Sequence, residues 1–407
     1  MDAKDAFHCT SALLRDYLER FDMCTSRGPL RALGNLVSGI LWTGSVQLTN
    51  AARLLADTPL RLAHEADRLS LQLESRHWDH REWMAAVLQS LADQVQPDDL
   101  IPIDGTDLAK PYARRMQWQC TVQDASRPYK PLVQGYWCFG SYAWKPTAEM
   151  LHSLILRPWS QNAPGFVSEN DCIDRWFWSI HQALGDKGIW LMDRGFDRPE
   201  IFTSLLRFQK RWIVRIRDNR TLIGPQGQCK PAIQWALEAL ATRPERGLAV
   251  TLPVRLPPER VRQAPEAPPL WLVVPTYGYG QGKEERWLLL TRGLIGNHVG
   301  PRQIRHDYAL RWRAEDARRF FGQIWHFEKF LTRSFLALER MLTCVTLASG
   351  FITLLQEHEP DICNWLENSV LRIPQDDEPQ IRAYRIARGL PILAGSAKEV
   401  YSMTVNA

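Results

Sequence analysis

The chain has 407 residues, with 50 Lys+Arg against 45 Asp+Glu, a formal net charge of +5 and 45% hydrophobic residues. That length supports a sizeable core in two or three domains, and the slight basic excess permits nucleic-acid binding without establishing it. The eight cysteines contain no Cys-x-x-Cys pair, which argues against a zinc knuckle or a disulfide framework and points to a reducing, cytoplasmic setting.

The opening residues MDAKDAFHCT lack a basic region followed by an apolar run. The longest apolar block, MLTCVTLASGFITLL, falls short of the roughly 20 residues that cross a bilayer, so a soluble protein is expected. Residues 1–97 read as a helical N-terminal domain suited to DNA-end binding. SALLRDYLERFDM, PLRALGNLVSGILWTG, LTNAARLLAD and PLRLAHEADRLSLQLES carry helical spacing, with Pro29 and Pro59 placed for first turns. Arg53, Arg61, Arg68 and Arg76 are interleaved with Asp57, Glu65, Asp67 and Glu74, so this face is equally a phosphate contact or a solvated surface.

From residue 98 the rhythm shortens. LIPIDG, LVQGYWCFGSYAW and LHSLILRPW are strands, DCIDRWFWSIHQALG a helix, GIWLMD a strand, PEIFTSLLRFQK a helix and RWIVRIR a strand. Over 98–217 this succession describes an α/β sheet with helical crossovers. Residues 218–300 form a β-rich insertion in which LWLVVPTY and RWLLLTRGL make a hairpin. Gly278, Gly280, Gly282 and Lys283 in its turn faintly match a phosphate loop, but Glu284 stands where Ser or Thr is needed and a strand follows. Residues 301–358 return to the sheet domain through one long helix, YALRWRAEDARRFFGQIWHFEKF, and a second apolar helix. Residues 359–407 form a C-terminal region suited to dimerisation.

Chemistry enters where apolar runs stop on charge. GIWLMD has the composition of a buried parallel strand yet ends on Asp193, and Asp104 ends the first strand in the same way. On the long helix Leu310, Ala314, Ala317, Phe321 and Ile324 make an apolar stripe, with Tyr308, Arg311, Glu315, Arg318 and Gly322 on a second stripe beside it. Asp316 points about 100° away from Glu315. Taken alone, Arg311 and Glu315 are equally an exposed i, i+4 ion pair. If the three carboxylates converge, each pair about 4 Å apart repels by about 4 kcal/mol at an effective dielectric near 20. Total stability is only about 5–15 kcal/mol, so the cluster requires protons or a cation. Oxygen ligands without His or Cys favour magnesium or manganese, and two such ions serve in-line displacement at phosphorus.

Three segments carry a family resemblance: IDGTDLAKPYA around Asp104, LMDRGFDRPE around Asp193 and YALRWRAEDARRFFG around Glu315, the last with Tyr308-x-x-Arg311-x-x-x-Glu315. They resemble bacterial cut-and-paste insertion-sequence transposases of the DDE class, over most of residues 99–350. The resemblance implies a ribonuclease-H-like mixed sheet flanked by helices and interrupted by the β-rich insertion, with α-helical N- and C-terminal regions. It implies that Asp104, Asp193 and Glu315 are catalytic and bind two Mg2+ ions, with Mn2+ as a substitute. It further implies double-stranded DNA as substrate, at element ends and target, and a homodimer in the synaptic complex.

One position departs from the family signature, which has Lys seven residues after the Glu: position 322 is Gly, and Arg318 and Arg319 are the nearest replacements. Tyr308 and Arg311, the run Lys110, Arg114, Arg115, Arg127 and Lys130, and the later Arg194 and run Arg207, Lys210, Arg211, Arg215, Arg217 and Arg220 are expected to face DNA. Trp235, Trp271 and Trp287 either pack in the core or, by resemblance, stack on a base flipped from a hairpin end. Asp107 and Asp197 read as capping or turn residues. A nuclease that cuts without joining, a catalytically inactive DNA-binding relic and a paired-carboxylate hydrolase stay open at this point.

Overall fold

The computed structural model describes residues 2–21, 27–75, 79–125, 127–145, 150–241, 250–259, 261, 270–274, 287–295, 300–370 and 379–396. The chain opens with α1 (Ala3–Glu19), α2 (Arg27–Thr43), α3 (Leu48–Arg53), α4 (Pro59–Glu74) and α5 (His80–Asp93). It continues through β1 (Leu100–Ala109), β2 (Cys120–Gln123), β3 (Leu132–Lys145), β4 (Met150–Trp159), α6 (Glu169–Leu184), β5 (Ile189–Met192), α7 (Pro199–Arg207) and β6 (Arg211–Ile216). Next come β7 (Thr221–Ile223), β8 (Cys229–Pro231), α8 (Ala232–Ala241), β9 (Val250–Val254), β10 (Leu270–Val274) and β11 (Leu288–Arg292). The last helices are α9 (Pro301–Ala309), α10 (Arg313–Trp325), α11 (Phe335–His358), α12 (Pro360–Ser369) and α13 (Pro379–Ser396).

One mixed sheet organises most of these elements, in the order β2-β3-β1-β5-β6-β11-β10-β9, with β4 also paired to β3, while β7 and β8 pair as a separate two-stranded sheet. The helices flank it, as expected of a mixed sheet between helical layers. β1, β5 and β6 run parallel at its centre and are apolar because both faces are covered. The segment expected as an insertion is continuous with this sheet: β11 pairs antiparallel with β6, and β10 and β9 extend it further. β10 and β11 pair as expected of a hairpin. Its turn, with Gly278, Gly280, Gly282, Lys283 and Glu284, lies outside the described residues, as do Arg76 and residues 397–407.

The N-terminal helices do not stand apart. Their apolar faces join one core with the sheet and the C-terminal helices. Tyr17 donates its hydroxyl hydrogen to the Leu347 carbonyl at 3.1 Å, and buried Arg340 donates to the carbonyls of Leu73 and Ser75 at 2.7 Å each. Both contacts hang on α11, the helix that contains the block expected to be too short to span a bilayer. In the fold that helix has 24 residues, long and apolar enough to cross, but 83% of its apolar window is buried in the protein. Its apolarity is accounted for by the core it fills.

The long helix expected over 308–330 is also revised. It is divided into α9 and α10 by a 3-10 turn at Leu310–Trp312 and ends at Trp325, where His326 adopts a left-handed conformation at φ 56°. The turn tightens the backbone by about half a residue per turn relative to an α-helix. Arg311 sits within it, and is 7% exposed.

Candidate active site

Strand register sets the first two acids side by side. Ile103 pairs with Met192 in the parallel β1·β5 ladder, so the next residues, Asp104 and Asp193, leave it together. Neighbouring strands are about 4.8 Å apart. β5 ends there, but β1 does not: Asp104 lies inside the strand, pairing with Gly140 of β3, and β1 runs on to Ala109. Beyond Asp104, β1 therefore has a partner on one side only, and a pocket of about 180 Å³ opens, lined by Asp104, Thr106, Phe139, Trp159, Glu169 and Asp193 among others. The Asp193 carboxylate accepts the Gly195 amide at 2.7 Å, capping a 3-10 turn over Arg194–Phe196, and the Gly105 amide donates to Asp104 Oδ1 at 3.0 Å. A strand interior fixes Asp104 and a strand end Asp193, each carboxylate also accepting a backbone amide.

Arg311 supplies the counter-charge. Burial raises the Asp104 pKa to about 6; the Arg311 and Arg318 guanidinium groups act against that rise, while Asp193 and Glu315 add to it. Burial by itself would weaken the Arg311 charge, but Asp104, Tyr308, Asp193 and Glu315 outweigh it and hold the guanidinium above its ordinary pKa. Glu315 Oε1 stands 3.6 Å from Arg311 Nη2, with side-chain exposures of 22% and 9%, so this i, i+4 pair exists but is not the exposed pair that helix periodicity alone allows.

The donor type and the excess negative charge suit a divalent cation. The expected closure of three carboxylates onto shared ions is not formed, however: among the described residues no group of three or more His, Cys, Asp or Glu is arranged to hold one. The physical reason is local, since Glu315 is turned toward Arg311, whose guanidinium offsets part of the acids' charge.

The remaining expected residues divide by burial. Arg114, Arg115, Lys130, Arg194 and Arg319 are exposed, while Arg127 lies 3.1 Å from Asp124. Arg318 donates to Thr106 Oγ1 at 2.9 Å, tying α10 to β1 beside the pocket. Lys110 turns inward instead: it is 2% exposed and donates to the carbonyls of Glu328 and Phe330 at 2.6 and 2.9 Å, so it presents no charge to a phosphate. Lys210 is likewise buried, and Arg211 binds Asp98 at 2.8 Å. Both stand where β6 begins, beside Ile189 at the opposite end of β5 from Asp193. Tyr308 is buried edge-on against Trp287 at 5.2 Å, which places both in the core. Trp235 is 8% exposed with its Nε1 donating to the Leu222 carbonyl, and Trp271 is partly buried on β10. These packings leave no free face on Trp235 or Trp287 for a base. Asp197 is a structural anchor: its carboxylate accepts from Arg220 Nε at 2.7 Å and the Arg217 amide at 2.8 Å. Asp107 accepts the Ala125 amide at 3.4 Å.

Sequence reading missed Glu169 and Arg198, which line the carboxylate pocket. Arg198 binds Glu169 at 3.0 Å and donates to the Gly195 carbonyl at 3.0 Å, bracing the Asp193 turn against the start of α6. Only the cap Ser168, which accepts the Asp171 amide, marks that helix start in the sequence.

Residues 150–351 match the family model described as "Transposase DDE domain". That match contains Asp193 and Glu315, whereas Asp104 precedes it. No curated protein matches the chain. Among solved structures, the chain is similar to one described as "Cryo-EM structure of piggyBac transposase synaptic complex with hairpin DNA", at 11% identity and a TM-score of 0.48, covering 93% of this chain and 73% of that one.

Proposed function

We propose, from the premise that the chain is a DDE-class DNA transposase, that Asp104, Asp193 and Glu315 are its catalytic carboxylates. The observation that carries the assignment is the shared exit of Asp104 and Asp193 from one parallel ladder, with Glu315 3.6 Å from Arg311 on the turn that packs against β1. DNA strand cleavage at element ends and strand transfer into target DNA are one chemistry, in-line attack of an oxygen on phosphorus. Asp104 and Asp193, joined by Glu315 once it leaves Arg311, would hold two Mg2+ ions, with Mn2+ able to substitute. The metal would activate the attacking oxygen and stabilise the departing one.

The chain's own residues position the strand. Arg318 is engaged with Thr106, so exposed Arg319 is the cation left to grip the phosphate that a Lys at position 322 would otherwise hold. Arg114, Arg115 and Arg194 extend the phosphate-facing surface, and Arg311, freed from the acids, neutralises charge developing at the cut. Synapsis of two ends requires at least a homodimer, with the C-terminal region contributing contacts and the N-terminal helices reading ends. This work takes place on DNA in the cytoplasm.

Manganese binding by wild type and Asp193→Asn, measured by titration calorimetry, tests the assignment. A clear loss of affinity in the variant is expected; equal binding by the two removes Asp193 from the site. A strand-transfer assay with precut ends separates a transposase from a nuclease that only cuts.

A further inference from the structure

Arg311 lies in the 3-10 turn Leu310–Trp312, and that turn packs against β1, the strand that carries Asp104. The side chain is buried, its guanidinium stands 3.6 Å from Glu315, and Asp104 and Asp193 pull on the same charge. The neighbouring arginines are tied to other groups. Arg318 donates to Thr106, while Arg313 lies over the Trp144 ring at 4.7 Å and 3.6 Å from Asp316.

Two features make this position movable. A 3-10 stretch inside a helical run is a common hinge, and here the backbone stays right-handed throughout. ψ is −8° at Leu310, −19° at Trp312 and −26° at Arg313, so rotations of about 15–35° convert the turn to α-helix, near −42°. That conversion turns Arg311 relative to Glu315 by about 20° per residue converted. Trp312 gives the guanidinium a second seat: its ring centre is 5.2 Å from Arg311 Cζ, and the side chain is 52% exposed.

We propose that Arg311 is a resident counter-ion that competes with divalent cations for Asp104, Asp193 and Glu315, and that cation entry moves its guanidinium out toward Trp312. Arg311 is thus a positioning residue, acting through the carboxylates. A guanidinium and a divalent cation among the same buried oxygens repel each other, so the two arrangements exclude one another. An inward arrangement populated about 90–99% of the time weakens apparent cation affinity by about 10- to 100-fold. The inference rests on the carboxylate assignment and adds how that site is gated.

Manganese calorimetry on the full chain, as wild type, Asp193→Asn, Arg311→Gln and Arg311→Lys, tests this. Arg311→Gln, which loses the charge, should bind Mn2+ about 10- to 100-fold more tightly than wild type, whereas Arg311→Lys, which keeps it, should stay within about threefold. A residue that only supported the fold would weaken binding in both variants. Should Arg311→Gln fail to fold, the wild-type chain decides through phenylglyoxal, which modifies accessible guanidinium groups, read by peptide mass mapping. Arg311 should be labelled at least about fivefold faster in Mg2+ than in EDTA, against exposed Arg319 as the internal reference. Arg311→Gln that binds Mn2+ no more tightly than wild type, or Arg311 labelling that Mg2+ leaves unchanged or slows, overturns the inference. If wild type then still binds Mn2+ and Asp193→Asn does not, the carboxylate assignment stands without it. Equal binding by wild type and Asp193→Asn, or none by either, removes the assignment and the inference together.

Discussion

Replacing Asp104 by Asn should make the protein more stable while abolishing cleavage. The Asp104 carboxyl is raised from its ordinary 3.8 to about 6, first by burial, with Asp193 and Glu315 adding to the shift. Folding therefore favours its protonated form. Wild-type stability is undiminished below about pH 4, declines as pH rises from there through 6, and has lost the full increment above it. A shift of about two pKa units corresponds to about 3 kcal/mol at about 1.4 kcal/mol per unit. Asn keeps the acceptor for the Gly105 amide and carries no charge, so Asp104→Asn should exceed wild type by about 3 kcal/mol at pH 8. The gain should shrink toward zero as pH falls to 4. Urea denaturation of both proteins in EDTA at pH 5 and pH 8 measures this directly. A variant that is no more stable at pH 8, or whose gain is the same at both pH values, refutes the claim that a charged Asp104 strains the fold.

The other expectations follow from packing and charge. Arg220→Ala leaves the Asp197 carboxylate, in a residue 1% exposed, without its guanidinium, and should cost about 3–5 kcal/mol in denaturation experiments; a loss below about 1 kcal/mol would show that the Arg217 amide suffices. Lys110→Met should cost about 2 kcal/mol by stranding two carbonyls while leaving duplex affinity unchanged, and a drop in DNA affinity without a drop in stability would restore Lys110 to the phosphate surface. A Cβ at Gly322 meets nothing within 4 Å, so Gly322→Lys should fold normally and steepen the dependence of log K on log salt by about 0.9 for duplex DNA; an unchanged slope would place position 322 away from the strand.

Much of the site was legible because apolar runs that stop on an acid are costly unless the acid has work to do. That argument located Asp104 and Asp193, but it placed Asp104 at a strand end. The polar stretch Gly105-Thr106-Asp107 conceals a strand that continues against β3 alone, with its polar middle where β5 has stopped. Of the apolar stripe read from helix periodicity, Ala314, Ala317, Phe321 and Ile324 are buried and Leu310 is only partly so. Periodicity missed the 3-10 turn, since one tightened turn alters the phase too little to break the apolar spacing, and so missed that Arg311 is buried among the acids. The lysines were least legible: Lys110 is held by a carbonyl 218 residues away, a contact that no local pattern announces. The same holds for β11, whose pairing with β6 decides that the 218–300 segment extends the sheet.

The β1·β5 register has one further consequence. The spacing of Asp104 and Asp193 is measured along a hydrogen-bond ladder and not along the chain, so the β2–β4 hairpins and α6 between them can grow or shrink over generations without moving either carboxylate. Relatives of this protein are better sought by the rung at which two strands part company than by counting residues from one acid to the next.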